Sequence, residues 1–240
     1  MPSLVLTPRQ TEDSQRLWRA AILRGWAVHR LTTWRIDDTA RALDEPFLYA
    51  EALFGPTLAD ELGVRLLNPP EDWLCRLPRE YRRRDIQLTT LEQARAAASP
   101  SFVKPPNDKS FPAAVYSASD LPAGFDPAMP VLVSEPVSFL SEFRSFIVHR
   151  RVVTQSIYAR EGEPFSGEVE PAELSAMNAF LSALLQDDAV DLPDACVLDC
   201  GPIHGRGWAA VELNAAWGAG LYDCDAEAAL EAVRAATLHV

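Results

Sequence analysis

Long apolar runs are missing from this 240-residue chain, and no stretch approaches the roughly 18 residues that a membrane-spanning helix requires. The start, MPSLVLTPRQTEDSQ, has neither a basic leader nor a long apolar stretch, and charge arrives by Arg9. A secretory signal is therefore not expected, and a cytoplasmic location is. Positive charge is also scarce: 22 Lys and Arg against 34 Asp and Glu leave a formal net charge of −12. A general nucleic-acid surface, which neutralises phosphates with basic stripes, is not expected on such a chain. The four cysteines, Cys75, Cys196, Cys200 and Cys224, form no CxxC pair and have no histidine at zinc spacing, so they read as reduced structural thiols. A glycine-rich GxGxxG turn is missing after the first apolar segment, where TPRQTEDS stands instead. That weighs against a Rossmann dinucleotide site. There is no internal repeat and no low-complexity tract.

Lysine is nearly absent as well. Lys104 and Lys109 stand five residues apart in FVKPPNDKSF, while twenty arginines fill the other basic positions. Arginine is a planar fork and lysine a compact point charge, so lysines kept here suggest a phosphate oxygen in a tight site. Drift in an arginine-favouring composition would give the same pattern. The run REYRRRD gathers Arg79, Arg82, Arg83 and Arg84. It reads first as a solvated helix face paired with Glu80 and Asp85, with RNA, polyphosphate or an acidic peptide as the other reading.

With 48% hydrophobic and 9% aromatic residues, the chain has material for a buried core, arranged as one large domain or two small ones. SLVL, a helix from Thr11 to Arg24, and WAVHRL predict a β-α-β opening. FLYAEAL reads as a further strand, TLADELG as a short helix ending at Gly63, and VRLLN as a strand, so residues 1–70 form a small open α/β layer. From Pro69 the texture changes, with NPPEDWLCRLPREYRRRD and LTTLEQARAAA reading as helical. SFVKP, AAVYSASDLP and VLVSEPV predict strands, and EFRSFIVHRRVVTQSIYARE predicts an antiparallel hairpin turning at HRR. PAELSAMNAFLSALLQD is the clearest helix, with Leu174, Met177, Leu181, Leu184 and Leu185 as core positions. CVLDCG and WAAVELN are the last predicted strands, and a final helix is expected from Ala226 to Thr237.

The chemistry concentrates in VLDCGPIHGRGWAAVELNAAWGAG. Asp199 and Glu212 each lie near the end of an apolar strand, and Asn214 shares the face of Glu212 because side chains alternate with period two. Antiparallel pairing across the glycine-rich link would bring these oxygen donors together, and hard oxygen donors are what magnesium selects. Strand-end carboxylates facing water are the plain alternative.

Over about Ser101 to Asp223 these residues resemble the ATP-grasp superfamily, which includes D-alanine–D-alanine ligase and the ribosomal-protein glutamate ligases. D-x12-E-x-N resembles the family's magnesium triad at Asp199, Glu212 and Asn214. Lys104 resembles its strand lysine on the α/β-phosphates. NDKSFPAAV, with Lys109, occupies the place of the flexible phosphate loop, although this one contains no glycine. In VLVSEPVSFLSEFR the resemblance places Glu135 and the Val137 backbone beside the adenine, and Glu142, seven residues after Glu135, on the ribose hydroxyls. Arg144 resembles the arginine of the glutamate ligases' acidic-x-Arg motif, and Gly218 the small residue that lets backbone amides approach an oxyanion. Several peptide-forming members carry an arginine two residues before the metal aspartate, where this chain has Val197. The resemblance therefore puts the catalytic cation at Arg160, with Arg206 as a weaker candidate. Trp208, Trp217 and Tyr222 are pocket or core aromatics.

The implied fold is α+β: an ATP-grasp fold whose two α+β subdomains, residues 71–134 and 135–240, grip ATP behind the 1–70 layer. The implied activity is an ATP- and magnesium-dependent carboxylate–amine or carboxylate–thiol ligase working through an acyl-phosphate on a small-molecule or peptide substrate. A phosphotransferase on the same scaffold and a non-catalytic nucleotide-binding module are the alternatives.

Overall fold

The computed structural model describes residues 1–96, 99–107 and 109–239. The chain opens with β1 (Ser3–Leu6), α1 (Glu12–Leu23), β2 (Ala27–Arg30), α2 (Asp38–Arg41), β3 (Pro46–Tyr49), α3 (Gly55–Leu62) and β4 (Val64–Leu66). β1 pairs in parallel with β2 on one side and β3 on the other, which delivers the expected β-α-β opening. All four residues of β1 are buried, as suits an apolar strand covered on both faces. α1 starts at Thr11, where Thr11 and Ser14 accept each other's backbone N–H. The expected strand FLYAEAL stops early, at Tyr49. The Ala50 N–H is drawn to the Trp217 carbonyl, and the Glu51 carbonyl accepts from Phe54 and Gly55 to start α3.

Next come α4 (Trp73–Arg76), α5 (Arg79–Arg82), β5 (Ile86–Thr90), α6 (Leu91–Arg95), β6 (Ser101–Lys104), β7 (Ala114–Tyr116) and β8 (Pro130–Ser134). The strands form an antiparallel sheet in the order β5-β8-β6-β7. LTTLEQARAAA, expected as helix, is split. Its first residues pair with β8 as the end of β5, and Thr90 and Gln93 cap a helix that runs only to Arg95. Ala97 and Ala98 lie outside the described residues. Leu91, Val103, Phe111, Val131 and Val133 form a small core on one face of this sheet, while Ile86 and Leu132 join the core of the next unit.

That unit holds β9 (Ser141–Val148), β10 (Arg151–Arg160), β11 (Glu163–Pro164), α7 (Pro171–Gln186), β12 (Ala195–Ile203), β13 (Gly207–Asn214), a 3-10 turn (Ala216–Gly218), α8 (Ala226–Ala235) and β14 (Thr237–His239). Its five-stranded antiparallel sheet runs β11-β10-β9-β12-β13. The hairpin turns at His149 and Arg150, both at positive φ, as HRR predicts. One face is covered by α7, whose Met177, Leu181 and Leu184 pack with Phe143, Ile147, Ile157 and Leu198. The other face meets α8 and the first unit through Phe146 and Val197. α8 ends at Ala235, not Thr237. Thr237 opens β14 instead, which pairs with β4, and its hydroxyl accepts from the Leu48 N–H.

β9 therefore leads outward on one face, from Phe146 under α8 to Arg144 and then Glu142. The segment VLVSEPVSFLSEFR is not one strand: β8 ends at Ser134 and β9 begins at Ser141. Pro136 has no N–H for a ladder, and the connection crosses from one sheet to the other. It is pinned to the β12–β13 link by Leu140 N–H to Pro202 O at 2.9 Å and His204 N–H to Ser138 O at 3.0 Å. Gly201 permits this closeness, since a Cβ there would fall 2.0 Å from the Ser141 carbonyl oxygen.

Candidate active site

Three adjacent strands assemble the centre. Asp199 on β12 stands directly opposite Arg144 on β9 and Glu212 on β13, so all three share a face. Arg144 grips Asp199 with two prongs, Nε to Oδ1 at 2.9 Å and Nη2 to Oδ2 at 2.6 Å. Its third nitrogen, Nη1, donates to the Gly220 carbonyl at 3.0 Å. Asn214 donates from Nδ2 to Glu212 Oε1 at 2.9 Å and to Asp199 Oδ2 at 3.3 Å. From the four-stranded sheet, Lys104 reaches across and donates its ammonium to Glu212 Oε2. The structure thus brings Lys104, Arg144, Asp199, Glu212 and Asn214 into one network.

Burial and pairing set the charges. Asp199 has 0% relative exposure, and burial pushes its carboxyl up to about 6 even though Arg144 works the other way. Burial likewise opposes the charge on Arg144, but Asp199 more than offsets it and keeps the guanidinium charged. Burial also works against Glu212, yet Lys104 and the Asn214 amide hold it down at about 2. Among the described residues no three His, Cys, Asp or Glu side chains converge as a metal site. The third donor here is the Asn214 amide, and two carboxylates with an amide carbonyl are a donor set that fits magnesium.

Glu142, two residues before Arg144, accepts from the Tyr158 hydroxyl at 2.6 Å, and its pKa is raised, chiefly by burial. Tyr158 stacks on Tyr222 with ring centroids 4.6 Å apart, and the Arg144 guanidinium lies 4.7 Å from the Tyr222 ring. Glu135 lies on the inter-sheet connection, where its carboxylate receives Arg206 and its N–H bonds the Asp85 carbonyl at 3.2 Å. Val137 sits half-buried further along that connection. Gly218 ends the 3-10 turn after β13 and docks on β3; a Cβ there would come within 2.8 Å of the Ala50 carbonyl oxygen. Lys109 is exposed and outside the network, and Asp108 beside it lies outside the described residues.

Arg160 is not brought to this centre. A bulge between Ile157 and Ala159 sets Arg160 opposite Ser141, which puts it on the α7 face, the reverse of Glu142 and Arg144. There Arg160 pairs with Glu173 at 3.0 Å, and Ser141 donates to the same carboxylate. Val197 is wholly buried in the core under α8, so an arginine at that position has no room. The cation beside the metal aspartate comes instead from the neighbouring strand, as Arg144. Of the aromatics, Trp208 packs against Phe143 and Phe180 and Trp217 is 3% exposed in the core, leaving Tyr222 at the site. In the basic run, Arg79 pairs with Asp85 as expected. Arg84 departs from the solvated-face reading: it is 5% exposed and donates to the Ala210 and Val211 carbonyls of β13 at 2.7 and 3.1 Å. Sequence reasoning missed Tyr158 and Arg84, whose roles depend on strands that are distant in the chain.

This geometry, with two sheets meeting at a lysine, two carboxylates and an asparagine, is that of an ATP-grasp fold. Among solved structures, the chain is similar to a RimK domain ATP-grasp protein from Sphaerobacter thermophilus (19% identity, TM-score 0.60, covering 97% of this chain and 99% of that one). It is also similar to the D-cycloserine synthetase DcsG (13%, TM-score 0.63, 98% and 99%) and to D-alanine–D-alanine ligase from Bacillus anthracis (12%, TM-score 0.60, 98% and 97%). No curated protein matches at the sequence level. A family model for an ATP-grasp domain, the second family of its clade, matches residues 81–232. That is more than half the chain, which belongs to this ATP-grasp family.

Proposed function

We propose that the protein is an ADP-forming ligase that joins a carboxylate to an amine through an acyl-phosphate. The observation that carries this reading is the Lys104–Glu212–Asn214–Asp199–Arg144 network, which spans the junction of two sheets and concentrates fixed charge of both signs. ATP would lie in that junction with its adenine by Glu135 and the Val137 backbone and its ribose on Glu142, since a carboxylate accepts two hydrogen bonds from a diol. Lys104 would exchange Glu212 for the α/β-phosphates. Asp199, Glu212 and Asn214 would hold magnesium, which when bound neutralises charge between the β- and γ-phosphates.

The substrate carboxylate attacks the γ-phosphorus and ADP departs. The amine nitrogen then attacks the acyl carbonyl and phosphate departs, with a proton lost from nitrogen. Arg144 keeps the Asp199 carboxylate in place and supplies the positive field on this face, while amides near Gly218 are placed to receive the oxyanion. The test is a thermal-shift and product assay with magnesium, ATP and pooled amino acids and short peptides. Stabilisation by Mg-ATP with amine-dependent release of ADP and phosphate is expected. AMP as the product would replace this mechanism with adenylation, and a stable phosphoproduct without amine would make it a phosphotransferase.

A further inference from the structure

We propose that the crevice at the carboxyl ends of β1, β2 and β3 is the subsite for a primary ammonium group on the acceptor, held by Asp13 and Glu51. The proposal rests on the ligase reading above. In an open parallel sheet, ligands sit outside the carboxyl ends of the strands where the connections diverge. β1 lies between β2 and β3, so the crevice opens at its end. Asp13 in the first turn of α1, Arg30 ending β2, Tyr49 ending β3 and Glu51 just beyond it stand around that end.

The crevice communicates with the catalytic face through Gly220. A Cβ on Gly220 would lie 3.3 Å from Asp13 Oδ2 and 3.6 Å from Arg144 Nη1. The absent side chain leaves a gap between a carboxylate of the first unit and the arginine that holds Asp199. Tyr49 closes one side, its hydroxyl donating to the Ala219 carbonyl at 3.1 Å.

The carboxylates here lack close cations. Glu51 Oε2 is buried without a hydrogen-bond partner, whereas buried polar atoms are ordinarily paired. Arg30, the nearest arginine by charge interaction, spends its guanidinium on the Thr7 and Arg9 carbonyls and the Ser14 hydroxyl. Arg16 is 3.9 Å from Asp13 and donates to the Tyr222 and Cys224 carbonyls. An ammonium group brings a positive charge and three donors, and so matches what two underpaired carboxylates want. An acylated amine brings neither the charge nor the donors.

The test uses the full chain saturated with magnesium and a non-hydrolysable ATP analogue, titrated calorimetrically with a panel of L- and D-amino acid amides and their N-acetyl counterparts. Primary amines of the panel should bind and the acetylated forms should not. Asp13→Asn/Glu51→Gln should weaken those amines roughly tenfold or more, the scale of a lost charge-assisted contact, with nucleotide affinity unchanged. Gly220→Ala, which alters no charge, should weaken them too by filling the gap. Equal binding of acetylated forms, amine binding in the double variant as in wild type, or no amine binding by a chain that binds the nucleotide would overturn the subsite. Failure to bind the nucleotide at all would remove the ligase reading and this inference with it.

Discussion

Replacing Arg144 with alanine removes both hydrogen bonds that Asp199 receives from the guanidinium, at 2.9 and 2.6 Å, and leaves a wholly buried carboxyl without its countercharge. Removing one partner of a buried ion pair costs about 3–5 kcal/mol. For a chain of this size each kcal/mol moves the unfolding midpoint by roughly 2–4 °C, so a fall of roughly 6–20 °C is expected. The pH dependence follows from the direction of the shift. A carboxyl whose folded pKa is raised contributes stability at low pH that is lost as pH rises through the folded value, about 6 for Asp199 in the wild type. Without Arg144 that carboxyl moves higher still, so the penalty of Arg144→Ala should be small at pH 5 and large at pH 8. Urea unfolding followed by tryptophan fluorescence at the two pH values measures it, and Arg144→Ala/Asp199→Asn should recover much of the loss. A midpoint shift under about 2 °C, or a penalty equal at pH 5 and pH 8, would refute the assignment of this pair.

Lys104→Ala should weaken ATP binding by about 1.5–3 kcal/mol, and Lys104→Arg should fail as well because a fork does not replace a point charge beside Glu212; unchanged calorimetric titrations for both would dissociate this lysine from the phosphates. Glu212→Gln and Asn214→Ala are expected to abolish magnesium-dependent ATP consumption while retaining the far-ultraviolet circular dichroism of the wild type, and near-normal turnover in both would dismiss the triad. Arg160→Ala, which breaks only the pair with Glu173 on the α7 face, should leave turnover and ATP affinity within a few-fold; a hundredfold loss in turnover would return Arg160 to the chemistry.

The alternation along EFRSFIV, CVLDCG and WAAVELN, with a short glycine-rich link, was enough to place Asp199, Glu212 and Asn214 together. Antiparallel neighbours joined by a tight turn have their register written locally. The scarcity of lysine pointed to Lys104 for a comparable reason, because side-chain chemistry is legible wherever the residue ends up. The 16 residues of α7 announced their buried stripe through helical periodicity. The contacts that cross long stretches of chain were decided by tertiary structure alone. Arg144 meets Asp199 because the sheet order sets β9 beside β12, and Lys104 meets Glu212 because a second sheet folds over the first. A single bulge in β10 reverses which face Arg160 occupies, since one extra residue exchanges the two sides of a strand. Arg84 left the solvated face of its arginine run because the carbonyls of Ala210 and Val211 lay within its reach, and no local pattern encodes a partner more than a hundred residues away.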